Sequence, residues 1–355
     1  MSPQVAPVNQ SSWIWRMMRC FGIGFAWLVL AILTLWTLAA LYFDLSLASA
    51  HWLTPIIYLA VITALAYIAK QRLLRMVICL IGFSFVLVCW LQLKPSNFRN
   101  WQSNDAQTPW AEINGDQVTI HNFRKCMYRT ETDYTCDWLK KTVYLSQLRG
   151  VDVFITYWGS PWIAHPIVSF QFGDDDHIAA SIETRNQVGK DYSAIRGFFR
   201  QYELLYVFSD ERDLVRLRTN YRTGEEVYLF HSTAGPDWSR QLFLQYLKEA
   251  NQLRDHPKWY NAATDNCTTN IFTQMADTGH LPAGSSPHDW WILLNGKGTE
   301  MLYRNGNFAD NLPFPEAMER AHINPAAQIV TAIDDPDFSQ RVRLNRPGFN
   351  GVATK

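Results

Sequence analysis

The chain has 355 residues in which 32 Lys and Arg offset 32 Asp and Glu, so its overall charge points to neither a nucleic acid nor an acidic partner. Its hydrophobicity is unevenly spread. From about residue 20 to residue 93 charge almost vanishes, and beyond that the composition is that of an ordinary soluble domain.

The apolar part, residues 1–93, divides into runs at about 21–43, 52–69 and 76–93, each about long enough at 1.5 Å per residue to cross a bilayer, so three transmembrane helices are expected. A cleaved signal peptide fits poorly, because the first run exceeds a usual apolar core and two more follow it. Core helices of a soluble bundle would carry a polar face, which these lack. Arg16 and Arg19 precede the first run and KQRLLR separates the second from the third, which predicts a cytoplasmic N-terminus. Three crossings then put everything after residue 94 outside, in the periplasm if the membrane is the inner one of a bacterium with two. Cys20, Cys79 and Cys89 lie in or beside the runs and read as small packing residues.

Residues 94–112 are polar and broken by prolines, the composition of a linker. The domain at 113–324 opens with QVTIHNF, followed by KCMYRTETDYTCDW. In an oxidising compartment Cys126 and Cys136 there form a short-loop disulfide more readily than a metal pair, because no second pair of ligands lies near. The runs VDVFITYW, IVSFQF, HIAASIET, YELLYVF and VYLF are short, rich in β-branched and aromatic residues and bounded by Gly, Asp or Pro, which predicts strands. WSRQLFLQYLKEANQL and NIFTQMA repeat apolar residues at helical spacing. Strands first and helices later give an α+β class with an antiparallel sheet packed on helices, and residues 325–355 read as an irregular tail.

Cys267 is left unpaired, at the start of the second of those helices. Asp265 or Asn266 can cap the helix, and the positive end of a helix dipole favours thiolate over thiol. Cys267, Ile271 and Met275 share one helical face, so the sulfur is predicted to face the sheet. An inert core cysteine fits the same spacing, and the presence of a base decides between the two. His165 is the favoured candidate because WIAHPIVSFQFGDDDHIAASIETR reads as a hairpin whose first strand carries it. If Phe172 opposes Ile178, Ser169 lies across from Ser181, Ile167 from Glu183, and Glu183 falls diagonal to His165 on one face, close enough to orient the imidazole. A structural ion pair of Glu183 with Arg185 or Arg196 is the plainer alternative. His177, at the turn end of the hairpin, is the rival third member.

The succession HPIVSFQF, SIETR, YELLYVFSDERDLVRLRTNYR and WYNAATDNCTTNI resembles the periplasmic domain of Lnb-type lipoprotein N-acyltransferases over about Val118 to Phe314. The family looks like a permuted papain-like fold of the NlpC group, with histidine before cysteine. The resemblance implies Cys267 as nucleophile, His165 as base and Glu183 as polar partner, with Asn266, Thr268, Ser181 and Arg185 in supporting positions. It also implies a membrane phospholipid as acyl donor and a lipoprotein N-terminus or other amine as acceptor, through a thioester and without a cofactor. In better-described members the membrane spans follow the catalytic domain, whereas here the apolar runs precede it. Backbone amides around Cys267 are the expected oxyanion donors, and Trp290, Trp291 and Leu293 form either an acyl-binding lip or ordinary core packing. The same Cys–His pair also fits a peptidoglycan amidopeptidase or a lipase, and the fold alone fits a non-catalytic envelope domain. No HExxH or GxxxxGK[ST] motif occurs, so neither a metal nor a nucleotide is expected.

Overall fold

The computed structural model describes residues 10–46, 50–281, 286, 296–330, 332, 334–346 and 348–349. The chain forms two compact units, Met1–Lys94 with Phe199–Gln201, and Pro95–Phe198 with Tyr202–Lys355.

The first unit contains helices α1 (Gln10–Phe43), α2 (Leu53–Ile68) and α3 (Arg72–Leu91). Their large apolar side chains, among them Phe21, Leu28, Ile81 and Phe85, are exposed, the reverse of a soluble helix and the arrangement a lipid-facing surface requires. Trp13–Phe43 and Arg72–Leu91 are long and apolar enough to cross a membrane. The expected third span is corrected: α2 has 16 residues, and at 1.5 Å each it measures about 24 Å, short of a hydrocarbon layer of roughly 30 Å, so the count of three crossings no longer places the domain outside a cytoplasmic N-terminus.

The second unit is α+β. Its eight-stranded sheet comprises β1 (Trp110–Asn114), β2 (Gln117–Tyr128), β3 (Tyr134–Tyr144), β4 (Leu148–Trp158), β5 (Ser160–Phe172), β6 (Asp176–Arg185), β7 (Glu203–Ser209) and β8 (Glu225–His231). The order is β1-β2-β7-β6-β5-β4-β8, with β3 on the other side of β2. Neighbours run antiparallel except β2 and β7, which meet in parallel at Arg124 and Ser209. Cys126 and Cys136 oppose each other across β2 and β3 and are joined by a disulfide.

Alternation along the strands assigns the two faces of the sheet. Even-numbered Val168, Phe170, Ala180, Ile182 and Tyr206 pack with Leu242, Phe243 and Tyr246 of α5 (Pro236–Asp255) and with α6 (Cys267–Asp277), which puts both helices on one face. Odd-numbered Ile167, Ala179, Leu205 and Val207 pack on the other face with Leu214 and Val215, in the helix Glu211–Arg216, and with Ile323, Phe338 and Val342. The helix Glu211–Arg216 runs on into a π-helical turn, Leu217–Tyr221.

The β5–β6 ladder pairs Phe172 with Asp176 and Ile167 with Ser181. The register is therefore two residues from the one expected. A two-residue shift keeps every side chain on its face, and continued by two positions it brings 183 directly across from 165. The stretch expected to be a linker includes the first three residues of β1, and within it Asn97, Asp105, Ala106 and Thr108 accept hydrogen bonds from Arg185. The tail carries two short helices, Asn324–Ala327 and Phe338–Arg341, and sends Arg343 back to Asp152 and Glu211.

Candidate active site

The first turn of α6 is fixed by a reciprocal cap. Asn266 Oδ1 accepts from the amides of Thr268 and Thr269, each at 2.9 Å, and the Asn266 amide donates to Thr269 Oγ1 at 2.8 Å. The cap presents Cys267 at the first helical position, with 5% of its surface exposed and its sulfur 3.8 Å from Thr268 Oγ1. Ile271 and Met275 continue the same stripe into the core.

His165 comes from the middle of β5 and is buried. Its Nε2 lies 2.7 Å from Ser181 Oγ and 3.2 Å from Glu183 Oε1. Ser181 in turn donates to Glu183 Oε1 at 2.6 Å, so the serine hydroxyl accepts the Nε2 proton and passes the interaction on. The Cys267 sulfur is near enough to the imidazole to raise its affinity for a proton. Ser181 and Glu183 both engage Nε2.

His165, Ser181 and Glu183 occupy odd positions, on the face opposite to the one that packs α5 and α6. Cys267 reaches them because the β5–β6 ladder stops at Ile167 and Ser181 although both strands continue. Beyond that point β5 pairs only with β4 and β6 only with β7, and the helix start meets the imidazole where the two strands part.

Charge in the site is ordered by Arg218, which no sequence pattern singled out. Its Nη2 donates to Glu183 Oε1 at 2.8 Å and its Nη1 to Glu225 Oε2 at 3.5 Å. It stands in the π-helical turn, whose extra residue per turn displaces the helical spacing that a sequence reading would follow. Burial is the largest influence and disfavours the imidazolium, yet the Glu183 carboxylate and the nearby sulfur of Cys267 together outweigh it, and His165 is pushed up to about 9. Glu183 resists burial in the same way: His165 and Arg218 hold it well below the usual carboxylate range. The hydroxyls of Tyr192 and Tyr260 belong to the same environment, each raised first by burial and then by the sulfur of Cys267.

Other expected members lie elsewhere. Arg185 points to the 97–108 segment and stacks on Trp101, so Arg218 takes the position proposed for it beside Glu183. His177 is buried near the turn, where it faces Glu211. The amides of Thr268 and Thr269 are taken by Asn266, which leaves that of Cys267 at the helix start. Trp290, Trp291 and Leu293 lie outside the described residues. Among the described residues no group of three or more His, Cys, Asp or Glu is arranged to hold a metal.

No curated protein and no solved structure matches the chain. Residues 134–296 match the family model of the Lnb N-terminal periplasmic domain, an interval that holds Cys267, His165, Ser181, Glu183 and Arg218. The matched residues thus resemble the Lnb N-terminal periplasmic domain, and together with the apolar N-terminal helices they fit a membrane-anchored protein with a periplasmic domain.

Proposed function

We propose that the protein is a thiol acyltransferase of a bacterial inner membrane, moving an acyl chain from a phospholipid, through a thioester on Cys267, to an amine such as the N-terminus of a lipoprotein. The match to the Lnb N-terminal periplasmic domain supports the lipoprotein-modifying role. The carrying observation is that Cys267 and His165, two residues far apart in the chain, are brought near enough for the sulfur to raise the proton affinity of the imidazole, where β5 and β6 diverge. A cysteine opening a helix beside a histidine on an antiparallel sheet also supports a permuted papain-like fold.

In this mechanism His165 holds the proton of the pair and Glu183 stabilises the imidazolium, with Ser181 bridging the two. Arg218 fixes the Glu183 carboxylate. The sulfur attacks the ester carbonyl carbon, the C–O bond breaks, and the departing lyso-lipid oxygen takes the His165 proton. The amine nitrogen then attacks the thioester, the C–S bond breaks, and His165 accepts the amine proton. The Cys267 amide donates to the oxyanion in both steps, and the hydroxyls of Thr268, 3.8 Å from the sulfur, and of Tyr192 and Tyr260 are candidates for a second donor.

The test is intact-mass analysis of the full chain incubated with phospholipid vesicles or, separately, with peptidoglycan fragments. An acyl-sized gain on Cys267 that hydroxylamine removes is expected with phospholipid alone. A covalent adduct only from peptidoglycan would replace the transferase with a peptidase.

A further inference from the structure

An almost wholly apolar cavity of about 70 Å³ lies between the face formed by β4 and β5 and helices α5, α6 and the helix Gly298–Arg304. Ala164 and Pro166, the neighbours of His165 in β5, line it, as does Thr268, the residue after Cys267. Because side chains alternate across a strand, the cavity opens on the face away from Ser181 and Glu183. The charged relay and the apolar space are thus on opposite faces of the sheet, and Cys267, which influences His165, directly precedes the cavity-lining Thr268.

We infer that this cavity seats the first part of the acyl chain while the chain is bound to Cys267, an assignment that rests on the thioester reading above. Its shape fits an unbranched hydrocarbon. Thr268, Ile271, Phe272 and Met275 all border it, so it follows α6 over eight residues, whose seven rises of 1.5 Å give about 10 Å. A volume of about 70 Å³ holds roughly five water-sized groups, each about the bulk of a methylene, which over that length is single-file room. Val153 and Leu302 close its flanks with aliphatic surface, and the charged side chains of the relay do not border it.

The proposal predicts a chain-length dependence. Acylation of Cys267 in the full, detergent-solubilised chain is followed by mass with p-nitrophenyl acetate and p-nitrophenyl hexanoate. Hexanoate is expected to react at least about tenfold faster than acetate, because its added methylenes leave water for the cavity. Val153→Phe and Met275→Phe, which fill the space from opposite walls, are expected to bring that ratio near unity. Partitioning of the longer ester into detergent would favour hexanoate equally in wild type and variants, so an unchanged ratio in folded variants overturns the cavity assignment. A ratio near unity in the wild type overturns it without any variant. If no ester acylates Cys267, the thioester reading falls and takes the cavity with it.

Discussion

The proton inventory of the site is set by a few side chains whose effects on His165 have opposite signs. Glu183 raises its affinity for a proton and Arg218 lowers it, against a background of burial that disfavours the charged ring. Acyl transfer is therefore expected to fall on the alkaline side near pH 9, where the imidazolium that protonates the leaving group is lost. Glu183→Gln should move that limb down towards the ordinary histidine value of about 6.5, and Arg218→Met should move it up, both read from pH profiles of the acylation rate. The same shift has a stability consequence. Because the folded-state affinity is raised, the contribution of the imidazolium is complete below about pH 6.5 and lost as pH climbs through about 9. Cys267→Ala should abolish the mass adduct, and His165→Ala should slow its formation by about 10²–10⁴-fold with the fold retained. Cys267 and His165 could be read from sequence because each sits in a short motif with local chemistry, a capped helix start and a strand before a hairpin. Arg218 could not, since a π-helical turn breaks the periodicity by which helical side chains are assigned to faces. Arg185 was expected in its place from proximity in the SIETR strand, but its guanidinium is used to hold the 97–108 segment.

At the level of elements, the hairpin of β5 and β6 and the start of α6 define the site, and each rests on a different interaction. The cap of α6 depends on Asn266, so Asn266→Ala should cost about 1 kcal/mol in denaturant unfolding and slow acylation by loosening the turn that presents Cys267. Asn266→Asp, which keeps an acceptor oxygen, should recover most of the stability. The disulfide of β2 and β3 closes a short loop, with its cysteines 10 residues apart, and replacing both with Ser should cost about 2–3 kcal/mol. Strand positions were largely readable in the sequence wherever the strand is buried on both faces, as β7 is at every position. β3 was missed because its residues are mostly exposed or half-exposed and include Lys140 and Lys141, so apolar alternation does not mark it. β1 was missed because the polar stretch before it reads as a linker. The hairpin register was misjudged by two residues, an error that alternation tolerates and that left the pairing of His165 with Glu183 intact.

For the whole molecule, the apolar helices and the matched domain describe a membrane-anchored protein with a periplasmic domain, and an alkaline phosphatase fused at the C-terminus is expected to be active in cells. Span count was the least legible feature, because a run of apolar residues does not reveal that the helix inside it is only 16 residues long. The far end of the chain is more committed than its composition suggests. Arg343 binds Asp152 on β4 and Glu211, both almost fully buried, and although burial opposes ionisation this arginine, with His177, holds Glu211 down at about 2. Arg343→Ala would strand two carboxylates in the interior, at a cost of about 3–5 kcal/mol. A copy clipped by a protease ahead of that arginine would thus fail to mature even with every reactive group present, so the fold itself discriminates against truncated copies.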